Sequence, residues 1–182
     1  SVTIISPEAA NGRNVVALGV VNALASSGKK TAVFRPAVCK KETFTDVLLA
    51  AANTGETREQ ATGVCPKRAR EDKGGARADI VATYHETLAE TEAEAAVIVG
   101  TDKSAINDPS LFSFNADVAA DLASPVFLAV CTINRTPEQL AATVAASIAT
   151  VEAAGTKVIG VFVTGAEDDQ VTPSKEALAD AG

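Results

Sequence analysis

The chain has 182 residues, 47% of them apolar and 4% aromatic, and a formal net charge of −7. That length suits one domain with one substantial core. The acidic balance argues against nucleic-acid binding, which needs clustered Lys and Arg. The basic cluster Lys67, Arg68 and Arg70 is followed at once by Glu71 and Asp72 and reads as a mixed-charge solvated loop.

In chain order, Val2–Ser6 reads as a short strand, and a loop from Pro7 to Gly12 leads into a helix over Arg13–Ser27. Gly28 stops that helix, and Thr31–Arg35 is a second strand closed by Pro36. Thr43–Asn53 predicts a helix, and Gly55–Gly75 a helix fragment plus loop. Arg77–Glu94 is a strong amphipathic helix with Ile80, Val81, Tyr84, Leu88 and Ala89 on one face. Ala95–Gly100 is a β-branched strand, and Asn107-Asp108-Pro109 breaks the chain. Then come a helix over Asn115–Ala123, a strand over Pro125–Val130 and a helix over Pro137–Ala154. Thr136 is placed to N-cap that helix, with Pro137 at its first position and Gln139 completing a capping box. Val158–Val163 is the last clear strand, and Pro173–Ala181 could start one more helix.

Five strands alternating with helices predict an α/β fold: a three-layer sandwich with a mostly parallel sheet, P-loop NTPase-like, formed by residues 1–182 as a single domain. The chain ends where such a sheet often adds a strand, so a truncated N-terminal piece of a longer enzyme is the expectation. No secretory signal or membrane-length apolar run is visible, which makes the cytosol the expected compartment.

Ligands in an open parallel sheet bind beyond the carboxyl ends of the strands. The first strand–loop–helix unit, Ile5-Ser6-Pro7-Glu8-Ala9-Ala10-Asn11-Gly12-Arg13-Asn14, is therefore the place to look. A working phosphate loop needs small residues to let backbone N–H groups wrap a phosphate, then Lys for the outer phosphates and Ser or Thr for magnesium. Here Gly12 stands at the last glycine, Arg13 replaces Lys and Asn14 replaces Ser or Thr. Arg keeps the charge as a bulky planar fork, so the exchange is not conservative. Glu8 adds negative charge beside the loop. Two readings stand: a plain strand–helix turn, or an altered loop in which Asn11, Gly12, Arg13 and Asn14 hold a small anion at a helix N-terminus. Asp102, after the strand ending at Val99, is the one acid placed to organise magnesium, and it is equally a turn residue.

No catalytic residues are assigned, and neither a metal nor a cofactor is expected. Cys39, Cys65 and Cys131 are odd in number and far apart, with no CxxC pair, and His85 is the sole histidine. Lys40 and Lys41 follow the second strand and read equally well as solvated.

The segments IISPEAANGRNVVALGVVNAL, VFRPAV, ADIVATYHETLAE, VIVGTD, FNADVAADLASPVFLAV, RTPEQLAATV and VIGVFV, in that order, resemble the N-terminal domain of long-form bacterial phosphate acetyltransferases. That domain is itself similar to dethiobiotin synthetase. The resemblance implies a non-catalytic regulatory or assembly domain of an acyltransferase that interconverts acetyl-CoA and acetyl phosphate. Its partner would be the C-terminal acetyltransferase domain of its own polypeptide, with self-association open and neither nucleic acid nor membrane involved. The rival readings are an ATP-dependent ligase of the dethiobiotin synthetase type and a stand-alone small-molecule sensor.

Overall fold

The computed structural model describes residues 1–9, 12–39, 42–101 and 110–180. Its strands are β1 (Val2–Ile5), β2 (Thr31–Ala37), β3 (Thr62–Val64), β4 (Ala95–Val99), β5 (Val126–Cys131) and β6 (Val158–Thr164). Its helices are α1 (Arg13–Ser26), α2 (Phe44–Ala51), α3 (Pro66–Glu71), α4 (Lys73–Thr91), α5 (Leu111–Asp121), α6 (Pro137–Ala153) and α7 (Asp168–Asp180). The strands form one six-stranded sheet in the order β3-β2-β4-β1-β5-β6, parallel at every pairing. All five strands expected from the sequence lie in it.

Helices cover both faces. On one side Ala17 and Val21 of α1 and Leu48 of α2 pack on Val2, Ile4, Val33, Val97 and Val99. On the other, Ile80 and Tyr84 of α4 and Phe114 and Val118 of α5 pack on Phe34, Ala96 and Ile98. Farther along that second face, α6 closes over β5 and β6 through Leu140, Val144 and Val151. The central strand β1 is buried along its whole length, as a parallel sheet covered on both faces requires.

Where the sequence expectation differs, local chemistry explains it. Pro36 lies inside β2 rather than closing it. The Arg35 N–H donates toward the β3 side, to Ala61 O at 2.8 Å. Strand alternation turns the Pro36 nitrogen toward β4, where the ladder has already ended at Phe34 and Ile98, so no ladder bond is lost. The stretch read as a helix fragment plus loop holds that fragment as α3 and, unexpected from the sequence, the short strand β3. α4 begins at Lys73 rather than Arg77 because Asp72 N-caps it, accepting the Gly75 N–H at 2.9 Å. α5 begins at Leu111 rather than Asn115. The capping box of α6 is present in both directions, Gln139 N–H to Thr136 Oγ1 at 3.3 Å and Thr136 N–H to Gln139 Oε1 at 3.0 Å.

The outer edge of β2 is finished by side chains before β3 takes over. Asn53 Oδ1 accepts the Thr31 N–H at 2.7 Å, and Glu56 Oε1 accepts the Val33 N–H at 2.7 Å. Arg35 and Ala37 then pair with Thr62 and Val64. At the opposite edge β6 carries no charged residue and leaves Ile159 and Phe162 partly exposed.

Candidate phosphate-loop site

The loop after β1 turns on a serine. Ser6 is buried, and its hydroxyl accepts the Glu8 N–H at 3.2 Å. The chain re-enters regular structure at Gly12, whose φ of 70° lies in the left-handed region. Gly12 O then accepts the Val15 and Val16 N–H groups at 2.9 and 3.1 Å, starting α1. A Cβ on Gly12 would lie 2.8 Å from Thr164 Cγ2, so the end of β6 is packed directly on the loop. Both the conformation and the contact demand glycine here.

Arg13, the first residue of α1, is 3% exposed. Its guanidinium folds back into the protein. Nη1 donates to Gly100 O at 2.5 Å, beyond the end of β4, while Nε and Nη2 donate to Asn14 Oδ1 at 3.3 and 2.7 Å. The sequence-predicted residues Gly12, Arg13 and Asn14 are thus brought together at the head of α1. Asn11, Lys40, Lys41 and Asp102 lie outside the described residues.

Around this point the strand ends are joined by buried polar groups. Arg35 Nε donates to Val99 O at 3.1 Å, its guanidinium lies 5.6 Å over the Phe44 ring, and Nη1 sits 3.4 Å from Glu42. The Thr101 hydroxyl donates to Ala37 O. Asn115 clasps Thr101 from α5, its Oδ1 accepting the Thr101 N–H at 3.3 Å and its Nδ2 donating to Thr101 O at 2.8 Å. Glu42 caps α2 through the Phe44 and Thr45 N–H groups at 2.6 and 3.1 Å. Burial alone would raise the Glu42 carboxyl. The Thr45 hydroxyl, Arg35 and the two backbone donors outweigh it and hold the group below the ordinary carboxylate range. For Glu56 the balance goes the other way, burial pushing its carboxyl up against the Val33 and Thr54 hydrogen bonds.

On the far side of the loop, Glu8 forms an ion pair with Arg135, which follows β5. This contact joins residues 127 positions apart. It also means that the Glu8 charge, read from the sequence as a repulsive neighbour of the loop, is matched by a cation.

Beyond the ends of β2 and β3 lies a cavity of about 310 Å³ lined in part by Val38, Cys39, Arg58, Val64 and Cys65. Cys39 and Cys65, far apart in the sequence, meet at this cavity, and both are free thiols. Among the described residues no group of three or more His, Cys, Asp or Glu is placed to hold a metal ion. No described helix is long and apolar enough to cross a membrane.

A family model described as an AAA domain matches residues 1–180. Among solved structures, the chain is similar to the BceF tyrosine kinase domain at 15% identity and a TM-score of 0.56, covering 89% of this chain and 67% of that one. It is also similar to the kinase domain of the Escherichia coli tyrosine kinase ETK, at 14% identity and a TM-score of 0.59, covering 91% and 69%. The P-loop NTPase-like fold is therefore established, and these identities speak to fold alone. The phosphate acetyltransferase resemblance is overturned by the same matches. With it go the acyltransferase assignment, the regulatory or assembly role in such an enzyme, and a C-terminal acetyltransferase domain as partner. The segments that suggested it carry the strands and helices of the parallel sheet, and likeness at the level of the fold does not fix function. The chain belongs to the AAA domain family.

Proposed function

We propose that this member of the AAA domain family binds a nucleoside polyphosphate at the β1–α1 loop, with Arg13 as the principal cation and the head of α1 supplying backbone donors. The observation that carries this reading is the placement of Gly12-Arg13-Asn14. A left-handed glycine opens a helix at the carboxyl end of the central strand, with a cation as first helical residue. A helix N-terminus carries about half a positive charge, and a guanidinium grips phosphate through two parallel hydrogen bonds. Of the alternatives read from the sequence, ATP-dependent chemistry on this loop is the one that the family and the structural neighbours support.

The resting contacts set a cost. A phosphate must draw Arg13 away from Gly100 O and Asn14 Oδ1, both of which already satisfy its donors. Binding of about 0.1–1 mM follows, the range worth roughly 4–5.5 kcal/mol. If the chain transfers phosphate to tyrosine, the acceptor lies elsewhere than in these residues. Their single tyrosine, Tyr84, is 3% exposed and packed edge-on to Phe34.

The test is calorimetric titration with MgADP and MgATP of the wild type, Arg13→Ala and Asn14→Asp, each checked by thermal unfolding. Asn14 is exposed, so Asn14→Asp keeps the fold while placing a negative charge where the anion would sit. Saturable binding that both substitutions weaken is the expected result. Wild-type binding that neither substitution touches, or no binding up to about 10 mM, rejects the site.

A further inference from the structure

The ion pair between Glu8 and Arg135 ties the loop of this site to the turn after β5. Glu8 belongs to the β1–α1 loop itself, where Ser6 anchors its backbone N–H at 3.2 Å. Arg135 comes from the turn after β5, the strand paired with β1 on its other side. That turn is held firmly. The Arg135 N–H donates to Thr132 O at 3.0 Å, Asn134 takes a φ of 59°, and Thr132 N–H reaches Thr164 O at 3.0 Å. Thr164 is the residue on which Gly12 rests. The far side of the loop, the turn after β5 and the end of β6 thus form one rigid rim, and Arg135 is fixed on it. Its Nη1 meets the Glu8 carboxylate and lies 3.4 Å from Cys131 O. Both side chains keep partial access to solvent, 17% for Glu8 and 27% for Arg135.

A carboxylate and a phosphate oxygen present the same chemistry to a guanidinium, so the loop carries its own anion. We propose that Arg135 is a second phosphate-binding cation of the site and that Glu8 is its internal competitor. In the resting protein Glu8 occupies the Arg135 guanidinium. A nucleotide phosphate arriving at the loop takes that guanidinium over and releases Glu8 to solvent. The device neutralises Arg135 when the site is empty, in a protein of net charge −7, and adds the breaking of a partly exposed ion pair to the Arg13 contacts that a polyanion must displace. This inference rests on the nucleotide reading above and adds to it a named residue and a mechanism of competition.

A double-mutant cycle tests it, with MgADP and inorganic phosphate as probes and the wild type, Glu8→Gln, Arg135→Ala and the double variant as proteins. Glu8→Gln should tighten MgADP binding by about fivefold, the upper range for a partly exposed ion pair. Arg135→Ala should weaken it by about tenfold, as expected for a lost charge-assisted contact. The decisive arm is the double variant. Competition predicts that Glu8→Gln gives no tightening once Arg135 is gone. Equal tightening with and without Arg135 would mean that Glu8 acts only as a diffuse negative charge, and the proposal would be wrong. Binding by the wild type that neither substitution alters would also reject it while leaving the nucleotide site intact. No saturable binding by any of the four proteins would reject the nucleotide reading and this inference with it. Both side chains sit at the rim, so unfolding curves close to wild type are expected for all variants.

Discussion

A guanidinium stands at the head of α1 where a phosphate loop ordinarily has an ammonium, and the difference is one of shape. Lys extends as a slim point charge, whereas Arg13 presents a planar fork that the protein has already filled with two acceptors. Asn14 offers an amide oxygen, already used by Arg13, where a hydroxyl would meet magnesium. Turnover of ATP by the wild type should accordingly be low, because positioning and charge stabilisation supply nearly all of the catalysis in phosphoryl transfer. Replacing both residues, Arg13→Lys with Asn14→Ser, should raise magnesium-dependent phosphate release above the wild-type rate by at least about tenfold. An unchanged rate in a folded double variant would show that the block lies elsewhere. Gly12→Ala should destabilise the protein by about 1–3 kcal/mol in urea unfolding, since it combines a strained backbone with a clash against Thr164. The exchanged loop residues were readable from the sequence, because a motif's spacing survives its substitutions. Where Arg13 points was not readable, nor was the pairing of Glu8 with Arg135, since both depend on residues brought close only by the sheet order.

Among the elements, those with long apolar periodicity were legible. Each of the five expected strands and the helices α1, α2, α4, α5 and α6 formed within a few residues of their expected bounds, whereas α7 starts at Asp168 and holds Pro173 inside it instead of starting there. β3 was not legible, and α3 was expected only as an unplaced helix fragment, for physical reasons. Three residues, Thr62-Gly63-Val64, hold no period, and Pro66–Glu71 is too short and too charged to show an apolar face. Both exist because neighbours complete them: Arg35 and Ala37 offer a ladder to β3, and Pro66 and Ala69 of α3 are buried. The same edge supplies a pH prediction. Glu56 is raised above the ordinary carboxylate value, so the folded state holds its proton to higher pH than the unfolded chain. Its contribution to stability is lost as pH rises through that raised value. Glu56→Gln keeps the acceptor for the Val33 N–H and removes the buried charge. It should therefore raise the melting temperature at neutral pH and flatten its decline between the ordinary carboxylate range and neutrality. Glu42 has the opposite sign: its stabilisation is present above the ordinary value and fades as pH falls through its lowered one. Glu42→Gln should blunt the acid limb. Thr136→Ala, at the capping box of α6, should cost about 1 kcal/mol.

As a whole, the molecule is a parallel sheet with unlike edges and an excess of negative charge. Several of its ion pairs are largely exposed, such as Lys30 with Glu92 and Lys67 with Glu71, and such pairs contribute little. Self-repulsion of the net −7 charge is the larger electrostatic effect. Raising salt from about 0.05 to 0.5 M should then raise the melting temperature by a few degrees, because screening relieves the repulsion and costs little attraction. A fall with salt would mean that the bidentate pair of Arg77 with Asp121, which ties α4 to α5 at 2.5 and 2.6 Å, matters more than its exposure suggests.

The packing of α4 on the sheet also decides what light reports about this protein. The 182 residues contain one tyrosine and no tryptophan. Ultraviolet emission and the near-ultraviolet dichroism band of tyrosine therefore come from a single ring, wedged against Phe34 with centroids 5.3 Å apart and an interplanar angle of 64°. That signal follows the opening of one face of the sheet, under α4 and α5. It is silent about fraying of the β6 edge, which a backbone probe such as amide exchange would register first.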